Sequence, residues 1–336
     1  MQIQSNWKIK TLFLSLIVGF LAYRLLNVEG FFTFDTNGIQ IGYRINDLIT
    51  TFRSILIQSF PFLVIGSLVS AIVAVFIKEE WLLSIIPKNR FLSHLMVSFL
   101  GFLMPVCECG NVPVARRFML QGFKVSHAVT FLMSAPIINP ITLWSTYEAF
   151  RGVYQNDVLL WSRIASGLII ANVLGLIISY KKNQFSLLTE KFYKEVCEHK
   201  EEVKKEKFQN FLGTFSKEFT TVATALIIGS AIATLFQLLP REFILAVGQS
   251  PIISILAMIL YSFIISVCSN VDSFLVIRYT STFSVGSIAS YLTFGPLIDI
   301  KMLTMLRSSF KVKTLIFFTV FVLLSSIITG LLVNLL

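Results

Sequence analysis

Charged residues are scarce in this sequence, and their scarcity excludes a soluble globular protein. Only 14% of its 336 residues are Asp, Glu, Lys or Arg, and 55% are hydrophobic, whereas a soluble domain usually carries about 25% charged residues. Its four cysteines do not form the pattern of a disulfide framework. The sequence also lacks a phosphate-binding loop, a Ser/His/Asp constellation and a His-Glu-x-x-His motif. It therefore gives no support for an enzyme, and it predicts no cofactor.

Long apolar runs dominate what is present, and they predict a protein that crosses a membrane several times. A helix needs about 20 apolar residues to cross roughly 30 Å of hydrocarbon. Such runs lie near residues 11–28, 48–77, 125–147, 158–180, 214–239, 284–306 and 313–336. Two further stretches, 91–122 and 251–280, are interrupted by polar residues. Each of their arms has roughly 16 residues, about 24 Å of helix, so we expect hairpins that enter the membrane and return to the same side.

The polar residues that interrupt these stretches form one motif that occurs twice. Residues 105–112 read PVCECGNV and lead to APIINP at 135–140, while residues 267–272 read VCSNVD and lead to GPLID at 295–299. Cys-x-Asn-Val occurs in both copies, and Pro-x-x-Asn aligns with Pro-x-x-Asp. Each half then has three crossings and one hairpin, and an odd number of crossings inverts one half relative to the other.

This pattern predicts an all-α fold built from two inverted half-repeats and an extra N-terminal helix. The expected units are an N-terminal transmembrane helix with an outer loop (1–45), the first half-repeat (46–180), a charged, solvated cytoplasmic connector (181–212) and the second half-repeat (213–336). With the N-terminus in the cytoplasm, 21 Lys and Arg residues fall on the cytoplasmic side and 7 on the outer side, which fits the positive-inside rule. The formal charge of +10 is spread over loops, so it indicates a multi-pass protein of the cell membrane, with the lipid bilayer rather than nucleic acid as its surroundings.

Polar groups inside apolar segments are unfavourable in lipid and often mark a working site. The candidate substrate- or ion-binding residues are Cys107, Glu108, Cys109, Asn111, Asn139, Cys268, Asn270, Asp272 and Asp299. Thiolates are suited to soft metals or metalloids, although a free cysteine also packs as a small apolar residue. The asparagines are equally suited to supply carbonyl ligands or to satisfy broken backbone. Which metal, if any, binds stays open.

The three carboxylates have two interpretations. A carboxylate at membrane depth binds a proton or a cation, or it pairs with a buried arginine. Arg116, Arg117 and Arg278 lie near Glu108 and Asp272 in the sequence and are the expected partners in the second case.

Helix interruptions are expected beside the same motifs. The candidate helix breaks are Pro105, Gly110, Pro136, Pro140 and Pro296. A broken helix directs its terminal partial charges at a substrate near the midplane of many transporters. A plain proline kink is the alternative, but the Pro-x-x-Asn/Asp pairing in both halves favours a break.

The motifs also carry a family resemblance. The run PVCECGNVPVARR, followed by APIINP and then by GPLIDIK, resembles the YcgR/YraQ-type predicted permeases, and in particular the YcgR branch, from about residue 45 onward. The family includes ArsP-type permeases that export trivalent organoarsenicals. Those exporters often carry Cys-Ser-Cys-Gly-Val-Ile-Pro, where this chain has Glu108 in place of the serine and Asn111 after the glycine. The resemblance implies a permease and leaves its cargo open.

Three functional hypotheses follow from the residues and the resemblance. The first is a secondary permease, working in efflux, with a Cys/Asn/carboxylate site at the midplane. The second is a membrane thiol electron conduit resembling the DsbD/CcdA family, in which Cys109 and Cys268 would cycle between dithiol and disulfide. The third is a subunit of a two-component membrane permease complex, because members of the resembling branch are often described so; this implies a second small membrane subunit. A homo-oligomer is left open.

Overall fold

Helix is the regular structure throughout the part of the chain that the structure describes. The computed structural model describes residues 49–50, 52–57, 59–61, 63–68, 72, 86–87, 89–103, 108–152, 156–199, 207–236 and 251–335. These segments contain α-helices, two short 3-10 helices and an isolated antiparallel bridge between Leu188 and Phe310. The predicted all-α class is confirmed. The predicted helix at 11–28 lies outside the described residues.

The helices fall into two sets separated by a connector. An apolar helical stretch, Phe52–Leu68, comes first. The first set then consists of α1 (Arg90–Leu103), α2 (Glu108–Leu120), α3 (Val125–Ile138), α4 (Pro140–Phe150) and α5 (Asn156–Ser179). The connector contains a 3-10 helix (Gln184–Leu187) and α6 (Glu190–His199). The second set consists of α7 (Lys207–Phe236), α8 (Pro251–Ile265), α9 (Asp272–Val276) with the 3-10 helix Ile277–Tyr279, α10 (Val285–Leu297), α11 (Ile300–Leu306) and α12 (Val312–Leu335).

Among the described residues, three helical segments are long and apolar enough to cross a membrane. They are Val125–Phe150, Asp157–Ser179 and Val312–Leu335, and they correspond to the predicted spans 125–147, 158–180 and 313–336. A helix of 24 residues such as α12 is about 36 Å long, enough for a hydrocarbon core of about 30 Å. Together with the shorter apolar helices, these segments identify a multi-pass membrane protein.

The order and the packing of the helices repeat between the two sets. Helices α1 to α5 correspond in order to α8 to α12. In the first set α3 packs against α1 and α5, and in the second set α10 packs against α8 and α12. Helix α2 packs on α11, and α9 packs on α4. The short helix that follows each polar motif therefore contacts the opposite set, which brings each motif against the other half of the chain.

The two long helical segments are interrupted at the residues that the sequence repeat aligns. Asn139 separates α3 from α4, and Asp299 separates α10 from α11; both have extended backbone. The side-chain oxygen of Asn139 accepts the backbone N–H of Ile141 at 2.9 Å, and that of Asp299 accepts the backbone N–H of Met302. Each residue is thus the N-cap of the helix that follows it.

The prolines lie close to these interruptions, but not every one of them lies at a break. Pro140 is the first residue of α4, where its missing N–H is tolerated. Pro136 and Pro296 lie inside α3 and α10, so naming them as the break points was wrong by a few residues. Each removes one backbone donor near the end of its helix, which weakens the last turn before the cap. Pro105 lies outside the described residues.

Gly110 was predicted as a helix break, and this prediction was wrong. The residue is buried inside α2, and its physical role is close packing. A Cβ atom built on Gly66 would lie 2.3 Å from the carbonyl oxygen of Gly110 and 2.4 Å from its Cα. The helical stretch Phe52–Leu68 can therefore approach the backbone of α2 at Gly110 only because Gly66 lacks a side chain.

We expect Gly66→Ala to destabilise the folded protein by about 1–3 kcal/mol, the usual effect of overpacking a tight contact. The added methyl group would meet backbone atoms of α2, which cannot rotate away. Gly213→Ala in α7 is the matched control, since nothing lies within 4 Å of a Cβ built there. That change should be neutral or stabilising by up to about 1 kcal/mol. Thermal unfolding of both variants in the same detergent tests this, and equal melting temperatures would contradict it.

The connector is exposed along most of its described length and packs one apolar face against the helices. Phe192 and Val196, one turn apart on α6, are buried, as expected for one apolar face of an amphipathic helix. The Arg116 guanidinium of α2 lies 4.3 Å from the centre of the Phe192 ring and 3.4 Å from a Glu195 oxygen. It also donates to Ser309 Oγ at 2.7 Å. The connector thus ties α2 to the turn before α12.

Candidate functional site

A buried group of charged side chains joins the two copies of the motif. Glu108, at the start of α2, pairs with Lys301 of α11 at an Oε1–Nζ distance of 3.0 Å, and both side chains are 1% exposed. Asp299, equally buried, has its Oδ2 at 3.9 Å from the same Nζ. One ammonium group thus lies between two carboxylates that come from different halves of the chain. We call Glu108, Lys301 and Asp299 the charged triad.

The second oxygen of Glu108 contacts the opposite motif directly. Its Oε2 accepts hydrogen bonds from the Ser269 hydroxyl at 3.2 Å and from the Ser269 backbone N–H at 3.4 Å. The Cys268 thiol donates to the same oxygen at 3.8 Å. Of the predicted residues, the structure therefore brings Glu108, Cys268 and Asp299 into one site.

Backbone at the end of α8 also holds Lys301. Its Nζ donates to the carbonyl oxygen of Ser266 at 3.3 Å, and its backbone N–H donates to Ser266 Oγ at the same distance. Ser266 has a φ of +53°, a region that non-glycine residues other than Asn and Asp seldom adopt. This conformation ends α8 and turns the Ser266 carbonyl towards the lysine.

Lys301 is the functional residue that sequence reasoning missed. The charge count treated it as one of 21 cytoplasmic residues and Arg163 as one of 7 outer residues, but both side chains are buried and paired. Removing them changes the count to 20 (21 − 1) against 6 (7 − 1), so the asymmetry persists. The available signal was local: Lys301 lies between Ile300 and Met302, without the cluster of charges that marks a loop.

A second buried ion pair lies beside the charged triad. Arg163 of α5 binds Asp272 with two parallel hydrogen bonds, Nη2–Oδ2 at 2.7 Å and Nη1–Oδ1 at 3.0 Å. It also donates to Thr146 Oγ1 at 2.9 Å and to Ser273 Oγ at 3.0 Å. A further bond of 3.2 Å reaches the carbonyl of Ser269, whose N–H and hydroxyl contact Glu108. Ser269 therefore links the two charged groups.

The predicted arginine partners of the carboxylates were wrong. Glu108 pairs with Lys301 and Asp272 pairs with Arg163, although Arg116, Arg117 and Arg278 are closer in the sequence. Arg116 contacts the connector instead, and Arg278 is exposed. The physical reason is that α2 also contacts α11 and α9 contacts α4, which places residues of the other half of the chain closer than the nearby arginines.

The three asparagines are buried, and the contacts of Asn139 and Asn270 are structural. Asn139 caps α4, and Asn270 accepts a hydrogen bond from Thr142 Oγ1 of α4 at 2.7 Å. Asn111 is fully buried in α2. For Asn139 and Asn270 these contacts fit the interpretation in which the side-chain amide supplies hydrogen bonds where a helix is interrupted.

The three described cysteines are not joined in disulfides. Cys109 and Cys268 are buried, and Cys197 is exposed in the connector. Within the described part of the chain, no group of three or more His, Cys, Asp and Glu side chains could hold a metal ion. Cys107 lies outside the described residues, so a site that includes it stays a prediction, as does the redox cycle of Cys109 and Cys268.

Comparison with known proteins places these features in a family context. A family model described as a predicted permease (ArsP_1) matches residues 44–335. The UPF0718 protein YcgR of Bacillus subtilis is 38% identical over 264 residues, 77% of this chain and 87% of that protein. A Streptococcus mutans protein named "Putative two-component membrane permease complex subunit" is 31% identical over 274 residues, 80% of this chain and 88% of its own. The UPF0718 protein YraQ of Escherichia coli is 28% identical over 116 residues, which are 34% of this chain and 31% of that protein. No solved structure matches the chain.

Proposed function

Because this chain belongs to the family of predicted permeases, we propose that it is a secondary transporter of the cell membrane that exports a thiol-reactive metal or metalloid species. The observation that carries the proposal is the contact of Glu108 with Cys268, Ser269 and Lys301. Side chains from the two interrupted segments converge there, although they are distant in sequence. Such convergence beside broken helices is the usual location of a transport site.

The proposed architecture is a pair of inverted half-repeats with one re-entrant hairpin each. The repeated helix order supports it, as do the contacts of α2 with α11 and of α9 with α4. In this arrangement the hairpin tips enter from opposite faces, and the motifs meet near the midplane. The halves would rock around that site to expose it to one face and then to the other.

Each type of side chain has a proposed task. Cys107, Cys109 and Cys268 bind the cargo as thiolates, the form in which a cysteine is a metal ligand. Glu108 accepts the hydrogen bond of the Cys268 thiol and holds that thiol in place, and the thiol proton leaves to water when the cargo binds. Asp299, with Lys301, adjusts the charge of the site as the cargo enters and leaves.

A second membrane subunit is part of the proposal. The name of the Streptococcus mutans relative describes a subunit of a two-component membrane permease complex, and this chain covers 88% of that relative. Co-purification with a small membrane protein expressed from the same host tests the assignment. Transport by the purified chain alone in liposomes would contradict a strict need for the partner.

The experiment that tests the function is a sensitivity screen of a host strain that lacks the gene. Growth is measured across soft metal ions, trivalent metalloids and acid, and the condition with a defect is used to test variants supplied on a plasmid. We expect the wild-type chain to restore growth. The absence of a defect with every metal and metalloid would contradict the proposed cargo class.

In the same assay, Cys109→Ser and Cys268→Ser are each expected to reduce growth to the level of the empty plasmid. A serine hydroxyl is close to a thiol in size, and at position 268 it can keep the hydrogen bond to Glu108, but it is a poor ligand for soft metals. Cys197→Ser is the matched control, because Cys197 is exposed on the connector, and it should restore full growth. Immunoblots of membrane fractions verify equal insertion. Full growth with the Cys109→Ser/Cys268→Ser double variant would eliminate the thiol site and the redox conduit together.

A further inference from the structure

The charged triad has an unequal distribution of hydrogen bonds. Glu108 accepts from Lys301, from both donors of Ser269 and from the Cys268 thiol. Asp299 uses Oδ1 to cap α11 and has the Ser266 hydroxyl as a further polar neighbour, while its Oδ2 has no partner at hydrogen-bond distance among the residues that the structure describes. That oxygen is 3.9 Å from Lys301 Nζ, an ion-pair distance too long for a hydrogen bond.

The triad also has an unbalanced charge. Two ionised carboxylates and one ammonium group carry a net charge of −1 at 1% exposure, and an uncompensated charge is strongly unfavourable in a buried site. Among the described residues, the charged and titratable neighbours do not neutralise it. Lys301 and Glu108 face Asp299, and Cys109 and Cys268 face Lys301.

Helix α7 packs on α11 at the same place through Gly229. A Cβ built on Gly229 would lie 3.0 Å from Lys301 Cα, so this contact brings no additional charge to the triad. The site therefore favours one further positive charge. A metal cation needs several converging ligands, and the described residues offer no such group of His, Cys, Asp and Glu. A proton needs one acceptor atom.

Resting on the proposed function, we infer that Asp299 is the proton-binding residue of the transporter and that Lys301 is its switching counter-ion. A proton taken from the aqueous phase forms a bond with Oδ2, Asp299 becomes neutral, and the triad becomes neutral as a whole. Lys301 then pairs with Glu108 alone. When the proton returns to water, Lys301 is again shared between the two carboxylates.

Asp272 has no such role. Both of its oxygens are occupied by the Arg163 guanidinium, and Oδ1 also accepts from Ser273. The three carboxylates of the sequence motif therefore separate into a clamped one (Asp272), a fully hydrogen-bonded one (Glu108) and a proton-binding one (Asp299).

The first half of the chain indicates that this residue can be changed without unfolding. At the aligned position it has Asn139, whose side-chain oxygen also caps the following helix, through the N–H two residues on rather than three, and Asn and Asp are about equally good N-caps. Asp299→Asn therefore keeps the cap and removes only the titratable oxygen. Glu148→Gln, a half-exposed carboxylate of α4, is the matched control.

Infrared spectroscopy of the purified full chain in liposomes, recorded across pH, measures the carbonyl band of a protonated carboxylic acid. We expect the wild type to show a band that grows as the pH falls. The component of this band from buried carboxylic acids should be absent in Asp299→Asn and present in Glu148→Gln. Labelling all aspartates with ¹³C at the side-chain carboxyl should shift the same component without any substitution. A component that persists in Asp299→Asn, that fails to shift with the label, or that disappears in Glu108→Gln alone would overturn the inference.

The infrared measurement needs no cargo, so it separates this inference from the proposed function. A titrating Asp299 in a chain whose gene loss causes no sensitivity would count against the permease cargo and leave the proton site standing. Loss of metal or metalloid resistance without a titrating Asp299 would support the permease and refute the proton site.

Discussion

Arg163→Met is expected to destabilise the protein by about 3–5 kcal/mol, the usual effect of removing one partner of a buried ion pair. Arg163 is fully buried, and it supplies two of the hydrogen bonds to Asp272 and one to the carbonyl of Ser269. Methionine fills part of the volume but leaves the Asp272 carboxylate without a counter-charge. Because Arg163 and Asp272 belong to different halves, the variant should lose the monodisperse peak in size-exclusion chromatography at a lower temperature than the wild type.

A double variant and a surface control separate this effect from a general loss of arginine. Arg163→Met combined with Asp272→Leu removes both charges, and replacing a buried pair by apolar residues is often close to neutral. We expect this double variant to recover most of the stability. Arg151→Met changes an exposed arginine that is paired with Glu148 at 3.5 Å, and it should cost at most about 1 kcal/mol. If Arg163→Met alone were as stable as the wild type, the stabilising role of the Arg163–Asp272 pair would be contradicted.

The fold could be predicted from the sequence where the signal was local. An apolar run is a property of consecutive residues, so the spans at 125–147, 158–180 and 313–336 agree with the structure within three residues at each end. The repeat of Pro-x-x-Asn as Pro-x-x-Asp located both interrupted segments, since a cap residue and a nearby proline together end one helix and start the next.

The partners within the site could not be predicted, because they are distant in the sequence. Glu108 and Lys301 are 193 positions apart, and Arg163 and Asp272 are 109 apart. Charge counting assigns every Lys and Arg to one face of the membrane, so it treats a buried, paired cation as a topology signal. The contacts of α2 with α11 and of α9 with α4 bring these charges together, and a single sequence carries no direct record of that packing.

Lys301→Met is expected to be as damaging as Arg163→Met, with a loss of about 3–5 kcal/mol. It leaves the Glu108 and Asp299 carboxylates buried without their shared ammonium group. Thermal unfolding in detergent measures the effect. Lys313→Met is the control, because Lys313 is exposed at the start of α12 and its change should alter stability by no more than about 0.5 kcal/mol.

The neutral form of the triad should separate stability from transport. Lys301→Met combined with Glu108→Gln and Asp299→Asn removes all three charges, and Asn at position 299 still caps α11, so we expect most of the stability to return. Growth in the complementation assay should not return, since the site can then neither bind a proton nor switch its counter-ion. The neutral double variant of Arg163 and Asp272 should recover both stability and growth, because that pair only clamps the halves. A neutral triad that restores growth would mean that Lys301, too, serves only to hold the halves together.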